Sequence, residues 1–262
     1  MLRALSTAAT GMEAQETRLD VTAHNVANAS TNGFKRERAE FADLMYQQLR
    51  APGAATGQGT RAPTGVEVGL GVRVSSTQRS FSEGDLRQTG NPLDVAIEGN
   101  GFLAIQMPGD RIGYTRDGAL KLDPEGKLVN GEGYPVVGDI VIPPDAQSVS
   151  IGADGTVSAT LPGEAAPIEL GRLQLVGFTN PAGLSAMGKN LFTETAASGQ
   201  PFTANPGEEG LGTLMQGTLE LSNVKVVEEM IDLIAGQRAY EVNSRVVRAA
   251  DEMLQQTAGL GR

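Results

Sequence analysis

The chain of 262 residues contains no cysteine, no tryptophan and a single histidine, His24. Without thiols it can form no disulfide, zinc ribbon or cysteine nucleophile. One histidine excludes any metal site built on two histidine ligands. No stretch approaches 18 consecutive apolar residues, so no segment is predicted to cross a membrane as a helix. Basic residues are fewer than acidic ones, with 21 Lys and Arg against 31 Asp and Glu. The resulting net charge of −10 disfavours binding to nucleic acid.

The first ten residues lack the compact apolar core of a cleavable secretion signal, and Glu13 and Glu16 follow soon after. We therefore expect no cleaved signal peptide at this end of the sequence.

A heptad pattern near the N-terminus predicts a helix from Leu2 to about Asn28. This segment contains no proline and one glycine. Apolar residues recur every seven positions, which gives one narrow seam along the helix. The Asn- and Gly-rich stretch 28–33 then ends the helix. The seam is formed by Leu5, Met12, Leu19 and Val26.

A second helix is predicted from Val224 to about Thr257, where the apolar positions alternate in steps of four and three. Neither helix can bury such a seam alone. We therefore expect the two terminal helices to form a coiled-coil-like pair that also packs between subunits. A closed intramolecular hairpin is the alternative. The seam of the second helix is formed by Ile231, Ala235, Ala239, Val242, Val246, Ala249 and Met253.

Between the helices, short alternating runs are separated by turn residues at intervals of about 9–12 residues, which is typical of an all-β domain. The predicted fold class is therefore α+β, with long terminal helices and a central all-β domain. The predicted domains are residues 1–33 with 222–262 as a helical domain, 34–70 as a connecting segment, and 71–221 as the β domain. The connecting segment includes a Gly/Ala/Thr/Pro-rich extension near 46–65.

Two enzyme interpretations can be drawn from the residues. The run Gly183–Asn190 matches the start of a phosphate-binding loop, G-x-x-x-x-G-K. However, Asn190 stands where Ser or Thr would hold magnesium, and residues 191–195 favour a strand or loop over a helix. Carboxylates in the β region could form a glycosidase pair only at a separation that sequence does not specify. We predict no catalytic residue, cofactor site or metal site.

Three separated motifs resemble those of the bacterial flagellar rod and hook family. The first is Asn25–Lys35, the second comprises Asp94–Phe102 and Tyr114–Gly118, and the third is Gln237–Ser244. They occur in the family's order and extend the resemblance over essentially the whole chain. By this resemblance, an assembly motif is formed by Asn25, Asn28, Thr31, Asn32, Gly33, Phe34 and Lys35.

The resemblance implies a non-catalytic subunit of the distal rod, which polymerises helically into a rigid hollow drive shaft. By the resemblance, the length of this chain and an extra segment distinguish it from a proximal rod protein and from a hook protein. These two proteins remain alternatives, as do a secreted adhesin and an enzyme. The implied rod-stiffening segment contains Tyr46, Leu49, Pro52, Gly53, Pro63 and Gly65.

The resemblance also implies a set of partners and a location. The partners are other copies of the chain, proximal rod proteins, the hook protein, the surrounding P and L ring proteins and the flagellar type III export apparatus. No nucleic acid, cofactor or small-molecule substrate is implied. The location is the basal body, from periplasm to outer membrane, reached without a cleaved signal.

Overall fold

The computed structural model describes residues 2–53, 55–57, 60–61, 63–138, 140–163 and 166–259. A long helix lies near each end of the chain, and the region between them is rich in β-strands. The predicted α+β class is therefore confirmed. The helices are α1 (Leu2–Ala27) and α2 (Val226–Gly259). No helix among the described residues is both long and apolar enough to span a membrane.

The strands are short. In chain order they are β1 (Glu37–Asp43), β2 (Tyr46–Arg50), β3 (Ala55–Gly57), β4 (Thr60–Arg61), β5 (Val66–Gly69), β6 (Val72–Arg79), β7 (Leu86–Gln88), β8 (Val95–Glu98), β9 (Phe102–Met107), β10 (Arg111–Thr115), β11 (Lys121–Leu122), β12 (Leu128–Val129), β13 (Ser148–Ile151), β14 (Thr156–Thr160), β15 (Ile168–Arg172), β16 (Leu175–Gly177), β17 (Ser185–Gly188), β18 (Leu191–Thr193), β19 (Phe202–Ala204), β20 (Thr213–Gln216) and β21 (Thr218–Glu220).

The chain divides into two compact units. The helical unit contains residues 1–26, 37–78 and 225–262, and the β unit contains residues 27–36 and 79–224. Residues 37–78 thus group with the helices, and residues 27–36 group with the β strands. The sequence had assigned 34–70 to a separate connecting segment. The difference has a non-local cause, because β1 pairs with β6 across a long stretch of chain.

The helical unit combines α1 and α2 with three two-stranded pairings. β1 pairs with β6, β2 with β5 and β3 with β4, so strands β2 to β5 form one extended hairpin. Gly71, just before β6, lies against α1. Its φ is +123°, and a Cβ there would lie 2.2 Å from Thr10 Oγ1. Only glycine fits this close approach without displacement.

The β unit is built around a six-stranded antiparallel sheet with the order β17-β18-β10-β9-β16-β19. Alternate side chains of a strand point to opposite sides of the sheet, and in β9 the side chains on both sides are buried. Leu103 and Ile105 enter the larger core, whereas Phe102 and Ala104 enter an aromatic cluster with Phe178. Smaller pairings complete the unit, including β8 with β20 and β7 with β21.

Candidate assembly surfaces

Helices α1 and α2 contact each other at several places among the described residues, and the numbering runs in opposite directions along the two helices. Asn25 contacts Glu229, and Arg18 forms an ion pair with Asp232 at 2.8 Å. Further along, Leu19 lies against Gly236, and Gly11 lies against Asn243. The contacts therefore run antiparallel.

The two glycines occur where these helices approach closely. A Cβ at Gly236 would lie 3.0 Å from Leu19 Cδ2, and a Cβ at Gly11 would lie 3.0 Å from Asn243 Nδ2. Each is the single glycine that the sequence showed in its predicted helix. Because glycine weakens a helix interior by about 1 kcal/mol relative to alanine, such residues signal a packing requirement. The predicted seams did not take this signal into account.

The predicted seam of α2 lies mostly on a different side of the helix. With 3.6 residues per turn, Ile231, Val242, Val246 and Met253 fall within a sector of about 60°. All four are exposed, and Ile231 retains 63% of its accessible surface. The alanines at 235 and 249 are also exposed, whereas Ala239 is half-buried. We call this sector the exposed apolar face of α2.

The predicted seam of α1 is less exposed. Leu5, Met12, Leu19 and Val26 are all half-buried. Of these, Leu19 makes the close contact with Gly236 described above. The two predicted seams therefore differ, since one is partly covered within the subunit and the other is largely open.

The first residue of the predicted assembly motif, Asn25, is buried inside the helical unit with 1% of its surface exposed. Its Nδ2 donates to the Glu37 carbonyl oxygen at 2.7 Å and to Glu229 Oε2 at 3.1 Å. Its Oδ1 accepts from the Glu37 backbone N–H at 2.9 Å. One amide side chain thus joins the end of α1, the start of β1 and the first turns of α2.

The other motif residues belong to the β unit and also make contacts within the subunit. The Thr31 backbone N–H and hydroxyl both donate to Asn28, at 3.1 and 3.2 Å. The carbonyl of Asn32 accepts from Asn190 Nδ2 at 3.3 Å. Gly33 has a φ of +65°, and a Cβ there would lie 2.7 Å from the Arg116 backbone. Phe34 is half-buried. The contribution of the motif to assembly stays a prediction.

Lys35, the last motif residue, lies in a buried ionic cluster with Glu220 and Arg116. Its Nζ donates to Glu220 Oε1 at 2.5 Å and to the Ser82 carbonyl at 2.7 Å. Arg116 Nε donates to Glu220 Oε2 at 2.9 Å. The side chains of Lys35 and Glu220 are fully buried, and that of Arg116 is 3% exposed. We call Lys35, Arg116 and Glu220 the Glu220 cluster.

Burial and charge act in opposite directions within the Glu220 cluster. Burial would raise the pKa of Glu220, but Arg116 and Lys35 outweigh it and hold that pKa below its usual value. Burial lowers the pKa of Lys35, and Glu220 partly offsets this effect. The backbone carbonyls of Ile97, Gly99 and Gly101 accept from the Arg116 guanidinium. Arg116 lies in the Tyr114–Gly118 motif, whereas Glu220 lies in none of the sequence motifs.

The predicted rod-stiffening segment lies on the extended hairpin of the helical unit. Tyr46 and Leu49 are exposed on β2, and Pro52 and Gly53 follow it in a turn. Pro63 and Gly65 precede β5. A Cβ on Gly65 would lie 2.7 Å from the Arg50 carbonyl oxygen, so this residue brings the two arms together. Positions 54, 58, 59 and 62 of the extension lie outside the described residues.

The phosphate-loop-like run adopts a different structure from a nucleotide site. Strands β17 and β18 form a hairpin, and Lys189 and Asn190 occupy its turn with φ values of +57° and +59°. Lys189 Nζ donates to Glu132 Oε2. The segment after Lys189 is therefore a strand rather than a helix whose N-terminus could bind phosphate.

Comparisons with known proteins identify the same three regions as the sequence motifs. The family model "Flagella basal body rod protein" matches residues 5–35. "Flagellar hook protein FlgE/F/G D1 domain" matches residues 96–159, and "Flagellar basal body rod FlgEFG protein C-terminal" matches residues 215–260.

Full-length relatives extend these matches over the chain. It is 46% identical to the flagellar basal-body rod protein FlgG of Buchnera aphidicola subsp. Schizaphis graminum, over 99% of this chain and 100% of that protein. It is 40% identical to FlgG of Bacillus subtilis over the whole of both chains. It is 31% identical to the flagellar hook-basal body complex protein FlhP of the same organism, over 97% of each.

A β unit between two long terminal helices, together with these matches, defines a structural axial protein of the flagellum and not an enzyme. The chain belongs to the flagellar basal-body rod protein family, and among the relatives named here it is more similar to the FlgG proteins than to FlhP.

Proposed function

We propose that this chain is the subunit of the distal part of the rod and polymerises helically into a rigid hollow shaft that transmits torque from motor to hook. The observation that carries this proposal is the exposed apolar face of α2 on a chain similar in full length to FlgG proteins. Monomeric soluble proteins rarely leave such a stripe open. A contact between this face and a different surface of the next subunit does not close on itself, so it generates a filament.

Within the shaft, α1 and α2 form a coiled-coil-like pair that lines the inner tube. The antiparallel side-chain contacts between the helices support this pairing. The exposed apolar face of α2 contacts neighbouring copies of the chain.

The extended hairpin of strands β2 to β5 stiffens the shaft by contacting an adjacent subunit. Its first arm exposes Met45, Tyr46 and Leu49. A two-stranded hairpin is at best marginally stable alone in water, so an exposed apolar arm favours a partner.

The proposed partners are other copies of the chain, proximal rod proteins, the hook protein, the P and L ring proteins and the flagellar type III export apparatus. The proposed location spans the periplasm and the outer membrane, and export proceeds without a cleaved signal. The family assignment to the basal body supports this set of neighbours.

Electron microscopy of basal bodies from an in-frame deletion strain tests the proposal, with the same strain carrying the intact gene as control. A rod stub that ends before the outer rings is the expected result. A complete ringed rod that lacks only the hook would assign the chain to the hook. Normal basal bodies and filaments would refute a role in the axial structure.

A further inference from the structure

Residues from the far end of the chain help to fix the segment that follows α1 in the β unit. Residues 28–36 belong to no helix or strand. Among the described residues, none of this segment belongs to either apolar cluster of the β unit. Polar contacts contribute to its attachment. The Gly33 N–H donates to the Glu220 carbonyl at 2.9 Å, and Lys35 donates to the Glu220 side chain at 2.5 Å.

Asn223 makes a second connection to the same segment. Its Oδ1 accepts from the Arg36 backbone N–H at 2.6 Å, and its own N–H donates to the Phe34 carbonyl at 3.4 Å. Its Nδ2 donates to the carbonyls of Ser80 and Ser82, at 2.9 and 3.0 Å. Glu220 Oε1 also accepts from the Gly84 N–H at 2.9 Å. Glu220 and Asn223 therefore each connect three chain segments, which are residues 31–36, 80–84 and 217–223.

The C-terminal segment is largely buried, but it lies outside the six-stranded sheet. β21 and its partner β7 are each three residues long and form a separate two-stranded sheet. The six-stranded sheet uses strands only between residues 102 and 204 and does not include β21. Regions with few ladder hydrogen bonds open at lower free energy than the core of a domain.

We propose that Glu220 and Asn223 form a conditional clasp, in which residues 28–36 are ordered on the β unit only while residues 217–223 are in place. The clasp opens as one local unit, and the six-stranded sheet stays folded. The segment leading out of α1 is then fixed only in a chain that is complete to Asn223. This couples the two ends of the sequence through contacts between residues 185 positions apart.

Amide hydrogen exchange on full-length Glu220→Gln tests the clasp, with Glu169→Gln on the exposed edge of β15 as the matched control. The probes are the amides of Gly33, Gly84 and Asn223, and the reference is the β9–β10 ladder. Because removing one charge of a buried pair is strongly destabilising, we expect protection of the probes to fall ~100-fold or more. The reference amides should change less than about twofold, and the control should change neither set.

Asn223→Ala provides a second variant, which retains all three charges of the Glu220 cluster. It should lower protection at Gly33 and Gly84 as well, although Asn223 accepts a hydrogen bond from neither amide. Unchanged probes in either variant would overturn the proposal. An equal loss at probe and reference amides, or a Glu220→Gln chain that fails to fold, would also overturn it, because opening would then be global.

Discussion

Replacing Ile231 with aspartate should prevent rod assembly and leave the folded subunit intact. The side chain retains 63% of its accessible surface in the chain alone, so the substitution removes few contacts within the subunit. The remaining cost to folding is the lower helix propensity of aspartate, which amounts to less than about 1 kcal/mol. Assembly is different, because the proposed contact with a neighbouring subunit would bury this position.

The magnitude follows from the exposed fraction. Complete burial of an isoleucine side chain stabilises by ~1.5–3 kcal/mol, so burial of the remaining 63% contributes about 1–2 kcal/mol to each contact. Ile231→Ala should therefore raise the critical concentration for polymerisation by about 5–30-fold. Aspartate adds the desolvation of an unpaired carboxylate, which costs several kcal/mol, so its effect should exceed ~100-fold.

The assay compares sedimentation of purified polymer across a concentration series with circular dichroism of the unassembled chain. Val246→Asp on the same face should behave like Ile231→Asp. Gln237→Asp is the matched control, because it adds the same charge to an exposed position about 120° away around α2. Normal assembly of both face variants would refute the assignment of this face to subunit contacts. Equal loss in the control would indicate a general charge effect.

Three further predictions concern the hairpin, the Glu220 cluster and the helix contact. Deletion of residues 51–64 should give curved or more flexible rods in electron micrographs, and unchanged straight rods would contradict a stiffening role. The pKa of Glu220 is held below its ordinary 4.5, so its stabilisation is complete above that pH and is lost as pH falls through the lower folded value. Urea midpoints of the intact chain should thus fall more steeply below pH 4.5 than those of Glu220→Gln; parallel curves would remove Glu220 from the acid response. Gly236→Leu should lower the free energy of unfolding by about 1–3 kcal/mol, because even the Cβ of the new side chain would lie 3.0 Å from Leu19 Cδ2. Gln237→Leu controls for added apolar bulk, and equal stability of the two variants would show that α1 does not constrain Gly236.

The sequence by itself determined the two helices and the β character of the region between them. The predicted span from Leu2 to about Asn28 compares with Leu2–Ala27 in the structure, and Val224 to about Thr257 compares with Val226–Gly259. These features are local, because helix period, the absence of proline and the terminating Asn- and Gly-rich stretch act over a few turns.

The tertiary structure alone decided which sides of the helices meet. Periodicity along α2 does not distinguish the side that contacts α1 from the side that stays exposed. That choice depends on close approach at Gly11 and Gly236, where the absence of a side chain lets a partner fit.

The Glu220 cluster was also beyond the sequence. Lys35 and Glu220 are 185 positions apart, and Arg116 and Glu220 are 104 apart. A lone lysine in a polar stretch is normally solvated, and burial becomes tolerable only when a carboxylate and backbone carbonyls surround it. Only closure of the fold brings those acceptors to one place, because no local preference of either segment specifies its distant partner.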